Sequence, residues 1–374
     1  MHQKIKVLRV VSNLGIGGVQ RQLLSVLSKI DNSRFDVDIC AVRRGGILEA
    51  KFAKRASSVY ILGIETKYSL RALMKLVALI KRNRYDIVHI HRMDDIVPVC
   101  TLAAHISNVD NILIQHHFPY HWKSRRKLFM EKVLTKSCNR IIGVSHHVIN
   151  HTGKMLGIPA NRRTVIYNGI EANRYAKSHH QKHVQDSNSI GLVARIVYFK
   201  RIGDFIKAAK IVSDVRRDVK FSVIGSGEKD RETALRNQAT ALGVDINWMG
   251  EIANIEDVLF QLGIGVLCSS KEGLGNVILE YMASGLPIVS SKIPPVEEIL
   301  PHGKAGLLVP PKSPSHLASA LLKTLDNKIL KRKFSLAGPK RVKGFRLTEQ
   351  SKLLNICIAN LLNIETSFSI DNAL

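Results

Sequence analysis

Alternation of short apolar runs with helix-length segments is the feature that most limits how this chain can fold. Runs such as 4–12, 86–91 and 140–144 are rich in Val, Ile and Leu, and segments with helical periodicity, such as 69–84, lie between them. Continuous apolar strands joined by helices are typical of a parallel, doubly wound sheet that is covered on both faces. The sequence therefore predicts an α/β fold.

This alternation occurs twice along the chain. A polar segment without periodicity, 171–188, separates the first series from a second one. With 374 residues the chain is long enough for two domains that each bury a core. We predict a Rossmann-like N-terminal domain at 1–168, a linker at 169–188 and a second Rossmann-like domain at 189–347. We predict a C-terminal helix and tail at 348–374. In one interpretation this segment returns to the N-terminal domain.

Composition limits the compartment and the class of partner. The sequence has no signal-peptide pattern and no apolar stretch of about 18 residues, so we expect a cytoplasmic protein. Its five cysteines are scattered and predict reduced thiols. The net charge is +26, and residues 1–165 hold 28 Lys and Arg against 10 Asp and Glu. Such an excess favours anionic partners, among them phosphates, nucleic acids and anionic lipids.

The strongest motif is KEGLGNVILE at 271–280, which follows the apolar run 263–268. Its glycines let backbone N–H groups approach a ligand, and a helix that begins near Gly275 presents its positive end to a phosphate. A carboxylate in the loop, Glu272, can accept hydrogen bonds from sugar hydroxyls. A carboxylate on the helix, Glu280, can hold a ribose diol.

A second motif, GLVARIVYFKR at 191–201, places an arginine at a strand end and a lysine five residues later. Arg195 can bind a diphosphate through two N–H groups, and Lys200 can bind it as a point charge. Both residues would lie beside a helix N-terminus. Alone, such a pair more often lies on a solvated surface, but beside the first motif it favours a diphosphate site.

Together these segments resemble the retaining GT-B glycosyltransferases of family four (glycosyltransferase group 1), of the bacterial surface-polysaccharide type. EGLGNVILEYMASGLPIV is similar to the donor-binding signature of that family over its full spacing. The resemblance implies two Rossmann-like domains whose parallel sheets face each other across a cleft. It also implies metal-independent, retaining transfer of a hexosyl or related group from a nucleotide diphosphate sugar, with UDP favoured and GDP as the alternative nucleotide.

The resemblance implies a role for each matching residue. Glu272 would contact the donor sugar and Glu280 the nucleotide ribose, while Arg195 and Lys200 would stabilise the departing diphosphate. The chain departs from the pattern at Arg201, where the family commonly has glycine. The other donor-binding positions are glycine loops and the segment between the two glutamates: Gly17, Gly18, Gly225, Gly227, Gly250, Gly273, Leu274, Gly275, Asn276 and Val277. For Gly17 and Gly18, close packing of the strand against the helix is an equal alternative.

Histidines are frequent near the strand ends of the first half, yet none of them has metal-ligand spacing. We therefore expect no metal site and no cofactor. In the family a catalytic histidine closes the strand that corresponds to 111–115 here and points to the donor sugar. That position is His116, with His117 as the alternative.

Residues 122–140 hold seven Lys and Arg against one Glu, interleaved with apolar residues. Basic amphipathic helices dock on anionic bilayers, although a helix that covers the sheet and faces water is an equal alternative here and the favoured one for 68–84. We expect Lys123, Arg125, Arg126 and Lys127 to bind the acceptor or the membrane. The acceptor would be a membrane-associated saccharide or lipid-linked saccharide of surface polysaccharide, lipopolysaccharide or capsule biosynthesis, at the inner face of the cell membrane.

Three other functions have weaker support in the sequence. The GIGG loop at 15–18 suggests a nicotinamide-dependent oxidoreductase, but its spacing is not GxGxxG. A nucleotide-sugar epimerase could share the same fold. A basic nucleic-acid-binding protein is favoured only by charge, and no motif for base recognition supports specific binding.

Overall fold

The structure is a computed structural model and describes residues 4–64, 70–92, 96–119, 124–175 and 187–362. The chain divides into two compact units. The first unit contains the residues up to Gly169 together with those from Leu347 onward, and the second contains Ile170–Arg346. The chain thus leaves the first unit once and returns to it.

The first unit is built on a parallel sheet, which has seven strands in the part of the chain described. The strands are β1 (Ile5–Asn13), β2 (Phe35–Arg44), β3 (Val59–Ile61), β4 (Ile87–Arg92), β5 (Asn111–His116), β6 (Arg140–Gly143) and β7 (Arg163–Val165). Their order in the sheet is β3-β2-β1-β4-β5-β6-β7. The direction of strand progression reverses between β1 and β4, which is where a doubly wound sheet opens a crevice for ligands.

The second unit contains a parallel sheet with six strands among the described residues. These are β8 (Ser189–Val193), β9 (Lys220–Ile224), β10 (Ile246–Gly250), β11 (Ile264–Leu267), β12 (Ile288–Ser291) and β13 (Gly306–Val309). The order is β10-β9-β8-β11-β12-β13, so the reversal lies between β8 and β11. The two parallel sheets confirm the predicted α/β class.

Helices connect the strands in both units. In chain order they are α1 (Gly18–Leu27), α2 (Glu49–Ala53), α3 (Leu70–Asn83), α4 (Val97–Ile106), α5 (Arg125–Thr135), α6 (His146–Leu156), α7 (Ile202–Val215), α8 (Lys229–Ala241), α9 (Ile255–Leu259), α10 (Asn276–Ala283), α11 (Pro294–Ile299), α12 (Pro314–Asp326), α13 (Lys328–Val342) and α14 (Leu347–Leu361). The last of these helices, α14, belongs to the first unit.

The first sheet is apolar on both faces because successive side chains of a strand point to opposite sides. Val88 and Ile112 face a core shared with α3, α4 and α6. Ile87 and Leu113 face the opposite core, which α1, α2 and α14 complete. Burial on both faces explains why these strands have continuous rather than alternating hydrophobicity.

Two observations concern the environment of the chain. None of the helices described is long and apolar enough to cross a membrane. The cysteines Cys40, Cys100, Cys138, Cys268 and Cys357 are buried free thiols.

Candidate functional site

Most of the predicted donor-binding residues lie at the carboxyl ends of four adjacent strands of the second unit, β8 to β11. Backbone hydrogen bonds connect the loops that follow these strands. Ile196 N donates to Ser226 O at 2.8 Å, Gly225 N to Gly250 O at 2.7 Å and Ser270 N to Phe199 O at 2.8 Å. The four loops therefore form one continuous edge beside the point where strand order reverses.

Two glycines permit this close approach of the loops after β8 and β9. Gly225 has φ +136°, and a Cβ at this position would lie 2.0 Å from the carbonyl oxygen of Ala194. A Cβ at Gly227 would lie 2.4 Å from Ile196 O. Backbone contact, rather than a tight turn alone, therefore explains the Gly-x-Gly sequence after β9.

Lys200 and Glu272 form an ion pair at the centre of this edge. Lys200 Nζ lies 2.5 Å from Glu272 Oε1, and their side chains are only 15% and 9% exposed. Lys200 ends a 3₁₀ turn after β8, whereas Glu272 lies in the loop after β11. The structure thus brings together one residue from each predicted motif.

Arg201 shows why the family pattern has glycine at this position. The residue has φ 54° and ψ 38°, which is the left-handed region that disfavours side chains with a Cβ. Its guanidinium group binds the carboxylate of Asp204 through Nε at 2.8 Å and a terminal nitrogen at 2.9 Å. The arginine therefore takes the backbone conformation of the glycine it replaces, and the ion pair offsets part of the cost.

The helix α10 begins directly at this edge. Gly275 is its N-cap in the left-handed region, with φ 95° and no side-chain hydrogen bond to the first turn. The N–H groups at the start of such a helix favour an anionic ligand. Gly273, Leu274 and Gly275 are buried, whereas Asn276, Val277 and Glu280 are partly exposed.

Tyr281, which the sequence analysis did not single out, holds α10 in position. Its hydroxyl accepts a hydrogen bond from Val193 N at 2.9 Å and donates one to Val266 O at 3.3 Å. These groups belong to β8 and β11, the two strands at the reversal point. The only local signal for this role was the hydroxyl group of Tyr281, which stands among small and apolar residues of the helix.

Arg195 lies just beyond the end of β8, and its side chain is exposed. Gly250 ends β10 with φ 67°, and there is space around it for a Cβ. The arrangement presents two cations, a helix N-terminus and carboxylates at one edge, which is a suitable set of groups for a diphosphate attached to polyhydroxylated rings.

In the first unit, the GIGG loop follows β1 and leads into α1. Asn13 Oδ1 accepts hydrogen bonds from Gly15 N and Gln20 Nε2, both at 3.0 Å. Gly17 is the N-cap of α1 with extended backbone, and Gly18 is its first residue. The contribution of Gly17 and Gly18 to donor binding stays a prediction.

His116 ends β5, as expected, but its side chain is only 1% exposed. Burial and then the positive charge of Arg92 lower the pKa of His116 well below its usual range, so the ring is neutral at pH 7. His117 packs instead against His91, with a ring nitrogen of each 3.1 Å apart. The catalytic role of His116 stays a prediction, and it would require contact with a ring that is enclosed in the structure.

The predicted basic segment of the first unit corresponds to α5. Ser124 caps this helix by accepting a hydrogen bond from Lys127 N at 3.3 Å. Arg125 and Arg126 are exposed, and Lys127 is partly buried. Lys123 lies outside the described residues.

Sequence analysis missed the neighbouring helix α4, which packs between α3 and α5. Each of the three helices has an exposed apolar pair with four-residue spacing, so each pair lies on one side of its helix. The pairs are Leu70 and Met74, Leu102 and Ile106, and Phe129 and Val133, with side chains between 41% and 70% exposed. We call these six residues the outer apolar face.

Within the described ranges, no group of three or more His, Cys, Asp and Glu side chains is arranged to hold a metal ion. The rings of His89 and His91 on β4 stack on each other with centroids 4.3 Å apart, and the charge of Arg9 acts on both. Metal independence stays a prediction.

Comparison with known proteins identifies two regions of the chain. Residues 16–174 match the family model "Glycosyltransferase Family 4", and residues 187–327 match the model "Glycosyl transferases group 1". The first region overlaps the predicted N-terminal domain, 1–168, and the second overlaps the predicted C-terminal domain, 189–347.

The chain is similar over nearly its whole length to an Escherichia coli enzyme, UDP-Gal:alpha-D-GlcNAc-diphosphoundecaprenol alpha-1,3-galactosyltransferase. The two are 24% identical over 97% of this chain and 99% of the other. N-acetyl-alpha-D-glucosaminyl L-malate synthase from Bacillus anthracis is 25% identical over 71% of this chain and 72% of its own.

Among solved structures, Anabaena HepE in complex with UDP has the same fold. It superposes with a TM-score of 0.83 at 18% identity and covers 96% of this chain and 100% of its own. These matches confirm the GT-B architecture and the resemblance on which the site residues were assigned.

Proposed function

Because the chain belongs to the GT-B glycosyltransferases that join a family 4 region to a group 1 region, we propose that it transfers a hexose from a UDP-sugar, with retention of configuration, to a lipid-linked saccharide. A nucleotide sugar is the donor class of this family. UDP as the nucleotide and a lipid-linked acceptor are supported by the Escherichia coli relative, a galactosyltransferase that uses UDP-Gal and alpha-D-GlcNAc-diphosphoundecaprenol.

The ion pair between Lys200 and Glu272 carries this proposal. It places an ammonium group and a carboxylate at 2.5 Å from each other at the reversal point of the second sheet. Arg195 and the first turn of α10 lie on the same edge. A diphosphate can bind to the cationic groups while the neighbouring carboxylate of Glu272 accepts hydrogen bonds from the sugar.

The reaction then requires mainly charge stabilisation. The bond between C1 of the sugar and the diphosphate oxygen breaks, and its electron pair goes to the diphosphate. Arg195, Lys200 and the N–H groups of α10 stabilise the charge that develops there, which is typically the largest contribution to such catalysis. The acceptor hydroxyl attacks C1 from the same face, and its proton passes to the departing diphosphate oxygen. No step uses a metal ion.

Titration of the purified protein with UDP, GDP and ADP by calorimetry tests the donor assignment. We expect UDP to bind most tightly, and we expect the affinity to persist in excess EDTA. Lys200→Ala should weaken binding and lower turnover roughly 100-fold, as for removal of one group that stabilises developing charge. The exposed neighbour Lys271→Ala is the matched control. Tighter binding of GDP, or loss of binding in EDTA, would contradict the corresponding part of the proposal.

The anomeric configuration of the product tests retention separately. We expect the glycosidic linkage to have the same configuration at C1 as the donor, measured from the coupling constant of the anomeric proton. An inverted product would exclude return of the acceptor on the same face.

A membrane-bound acceptor is supported by the outer apolar face of the first unit. Six apolar side chains on α3, α4 and α5 face solvent, and exposed Arg71, Lys75, Arg125, Arg126 and Lys136 lie on the same helices. Apolar side chains surrounded by basic residues suit the interface of an anionic bilayer. We propose that this face docks peripherally on the inner leaflet, where a lipid-linked acceptor is anchored.

A further inference from the structure

A cluster of polar side chains lies inside the otherwise apolar core between the first sheet and the helices α1 and α14. Strand register pairs Arg9 of β1 with His89 of β4, and His91 of β4 with Gln115 of β5. Paired residues of parallel strands point to the same side of a sheet. These strands therefore bring an arginine, histidines and an amide together at the centre of the unit.

Arg9 introduces a positive charge that the described residues do not neutralise. The side chain is 2% exposed, and its Nε has no hydrogen-bond partner in the structure. Burial lowers the pKa of Arg9 to about 10, and no carboxylate of the described residues contributes to this shift. The guanidinium group is thus still charged at neutral pH, and an isolated buried charge is strongly destabilising.

A cavity of about 10 Å³ lies beside this charge. Arg9, His91, Gln115 and His117 line it from the sheet, and Gln350 lines it from α14. A volume of this size is at the lower limit for one water molecule, so a halide ion requires a small outward shift of the lining side chains, and phosphate or sulfate requires a much larger one.

The imidazole rings supply one more hydrogen-bond donor to the cavity. His91 Nδ1 and His117 Nε2 are 3.1 Å apart and share one hydrogen bond. A neutral imidazole has one N–H and one unprotonated nitrogen. The ring that donates the shared bond therefore has an unprotonated second nitrogen, and the ring that accepts the bond has an N–H as its second nitrogen. His91 Nε2 and His117 Nδ1 have no partner in the structure. One of these two atoms is therefore always a donor.

Amide groups close the cavity on the side of α14. Gln22 Nε2 donates to Gln350 Oε1 at 2.5 Å and to Gly169 O at 3.0 Å. Gly169 N also donates to Gln350 Oε1, at 2.8 Å. Because the carbonyl oxygen of Gln350 accepts both bonds, its amide nitrogen is the group that can donate to a ligand.

We propose that this cavity is a binding site for one small monovalent anion of halide size, held by Arg9, one imidazole N–H and the amide of Gln350. A water molecule has two lone pairs, so it could accept only two of these three hydrogen bonds, and it would not neutralise the arginine. A halide ion can accept all three and neutralise the charge, and it connects α14 to the centre of the sheet. The site lies within the first unit, whereas the donor-binding edge belongs to the second.

Thermal unfolding of the full chain in different sodium salts at equal ionic strength tests the site. Gluconate is too large for the cavity, so chloride and bromide should raise the midpoint by roughly 3 °C above its value in gluconate. In Arg9→Met the difference between the salts should disappear, and the midpoint in gluconate should not fall below that of the wild type. The exposed Arg44→Met is the matched control and should keep the full difference.

Crystals grown in bromide give a second measurement that does not depend on the folding of Arg9→Met. Anomalous scattering should place a bromide ion in the cavity of the wild-type protein. Equal midpoints of the wild type in all three salts, an unchanged halide effect in Arg9→Met, or a cavity without anomalous signal would each overturn the proposal and leave a water molecule as the occupant.

Discussion

Several residues of the donor-binding edge have a strained backbone or a buried charge that destabilises the fold, yet they lie where the donor is predicted to bind. Arg201 adopts a left-handed backbone that glycine would adopt without strain, and its ion pair with Asp204 offsets part of that cost. Lys200 and Glu272 are both largely removed from solvent, so each depends on the other for charge neutralisation. Substitutions at these positions therefore have different effects on stability and on catalysis.

Arg201 provides a test of backbone strain. Arg201→Ala keeps the unfavourable φ and loses the bond to Asp204, whereas Arg201→Gly loses the bond but relieves the strain. We expect the glycine variant to be more stable than the alanine variant by about 1 kcal/mol in the free energy of unfolding, measured in urea. The order of the two variants would be reversed if the 3₁₀ turn after β8 relaxed out of the left-handed conformation.

The ion pair between Lys200 and Glu272 provides a test that separates folding from catalysis. Lys200→Met leaves a buried carboxylate unpaired and should lower the free energy of unfolding by about 3 kcal/mol. The double variant Lys200→Met/Glu272→Gln should recover most of this stability but little turnover, because both charged groups are absent from the site. Urea denaturation and sugar transfer are measured on the same samples. A double variant that regained turnover would show that the pair is only structural.

At the scale of secondary structure, α10 is positioned by a hydrogen bond to a strand that is far from it in sequence. Tyr281 on α10 bonds to Val193 on β8, 88 residues earlier, and also contacts β11 through Val266 O. The N-terminus of α10 is thereby fixed relative to the loop that contains Arg195 and Lys200. The geometry of the predicted phosphate-binding groups thus depends on a buried tyrosine.

Tyr281→Phe should show this dependence. The substitution leaves the N–H of Val193 without its partner, which should cost about 1–2 kcal/mol of stability. We also expect several-fold weaker UDP binding in calorimetry, because the first turn of α10 loses its fixed position relative to β8. Tyr198→Phe, which removes a hydroxyl from a side chain that is 75% exposed, is the control for stability. Unchanged UDP affinity in Tyr281→Phe would exclude a positioning role.

Features that depend on residues close together in sequence were predicted, and features that join distant parts of the chain were not. Strands such as β1 and β8 were predictable because burial on both faces leaves continuous apolar runs. The segment 271–280 was recognisable because its loop, helix cap and carboxylates are contiguous in sequence. The Tyr281 contacts and the cluster around Arg9 were not predicted, since both join elements that are distant in the chain. An arginine inside the apolar run of β1 was the only local sign of that cluster.

At the scale of the whole molecule, charge is divided unequally between the two halves of the sequence. Residues 1–165 have an excess of 18 positive charges, whereas the remaining residues have an excess of 8. The first half also contains the outer apolar face. The sequence indicated basic helices at 68–84 and 122–140 but not the participation of α4. The pair Leu102 and Ile106 lies in a helix whose only polar residues are Thr101 and His105, so the sequence did not distinguish an exposed side from a buried one.

Membrane docking by this face predicts two separable contributions to vesicle binding. Full-length protein should bind vesicles that contain anionic phosphatidylglycerol much more strongly than zwitterionic vesicles, and binding should decrease at 1 M salt, where the Debye length is about 3 Å. Each basic residue near an anionic surface contributes about 1 kcal/mol, so Arg125→Gln/Arg126→Gln should weaken binding about 30-fold at low salt. Lys229→Gln/Lys323→Gln, which removes two exposed charges of the second unit, is the matched control and should bind as the wild type does.

The apolar contribution should persist when the charges are screened. Phe129→Ser/Val133→Ser removes one exposed pair from α5 without changing the net charge, and it should weaken the binding that remains at high salt. The affinity of the charge variant should instead approach that of the wild type as salt rises, because screening weakens the attraction of Arg125 and Arg126 to anionic lipid in the wild type. If both variants depended on salt in the same way, electrostatic attraction alone would explain the binding and the exposed apolar pairs would face water. Equal binding of the wild type to both vesicle types would contradict docking through the basic residues.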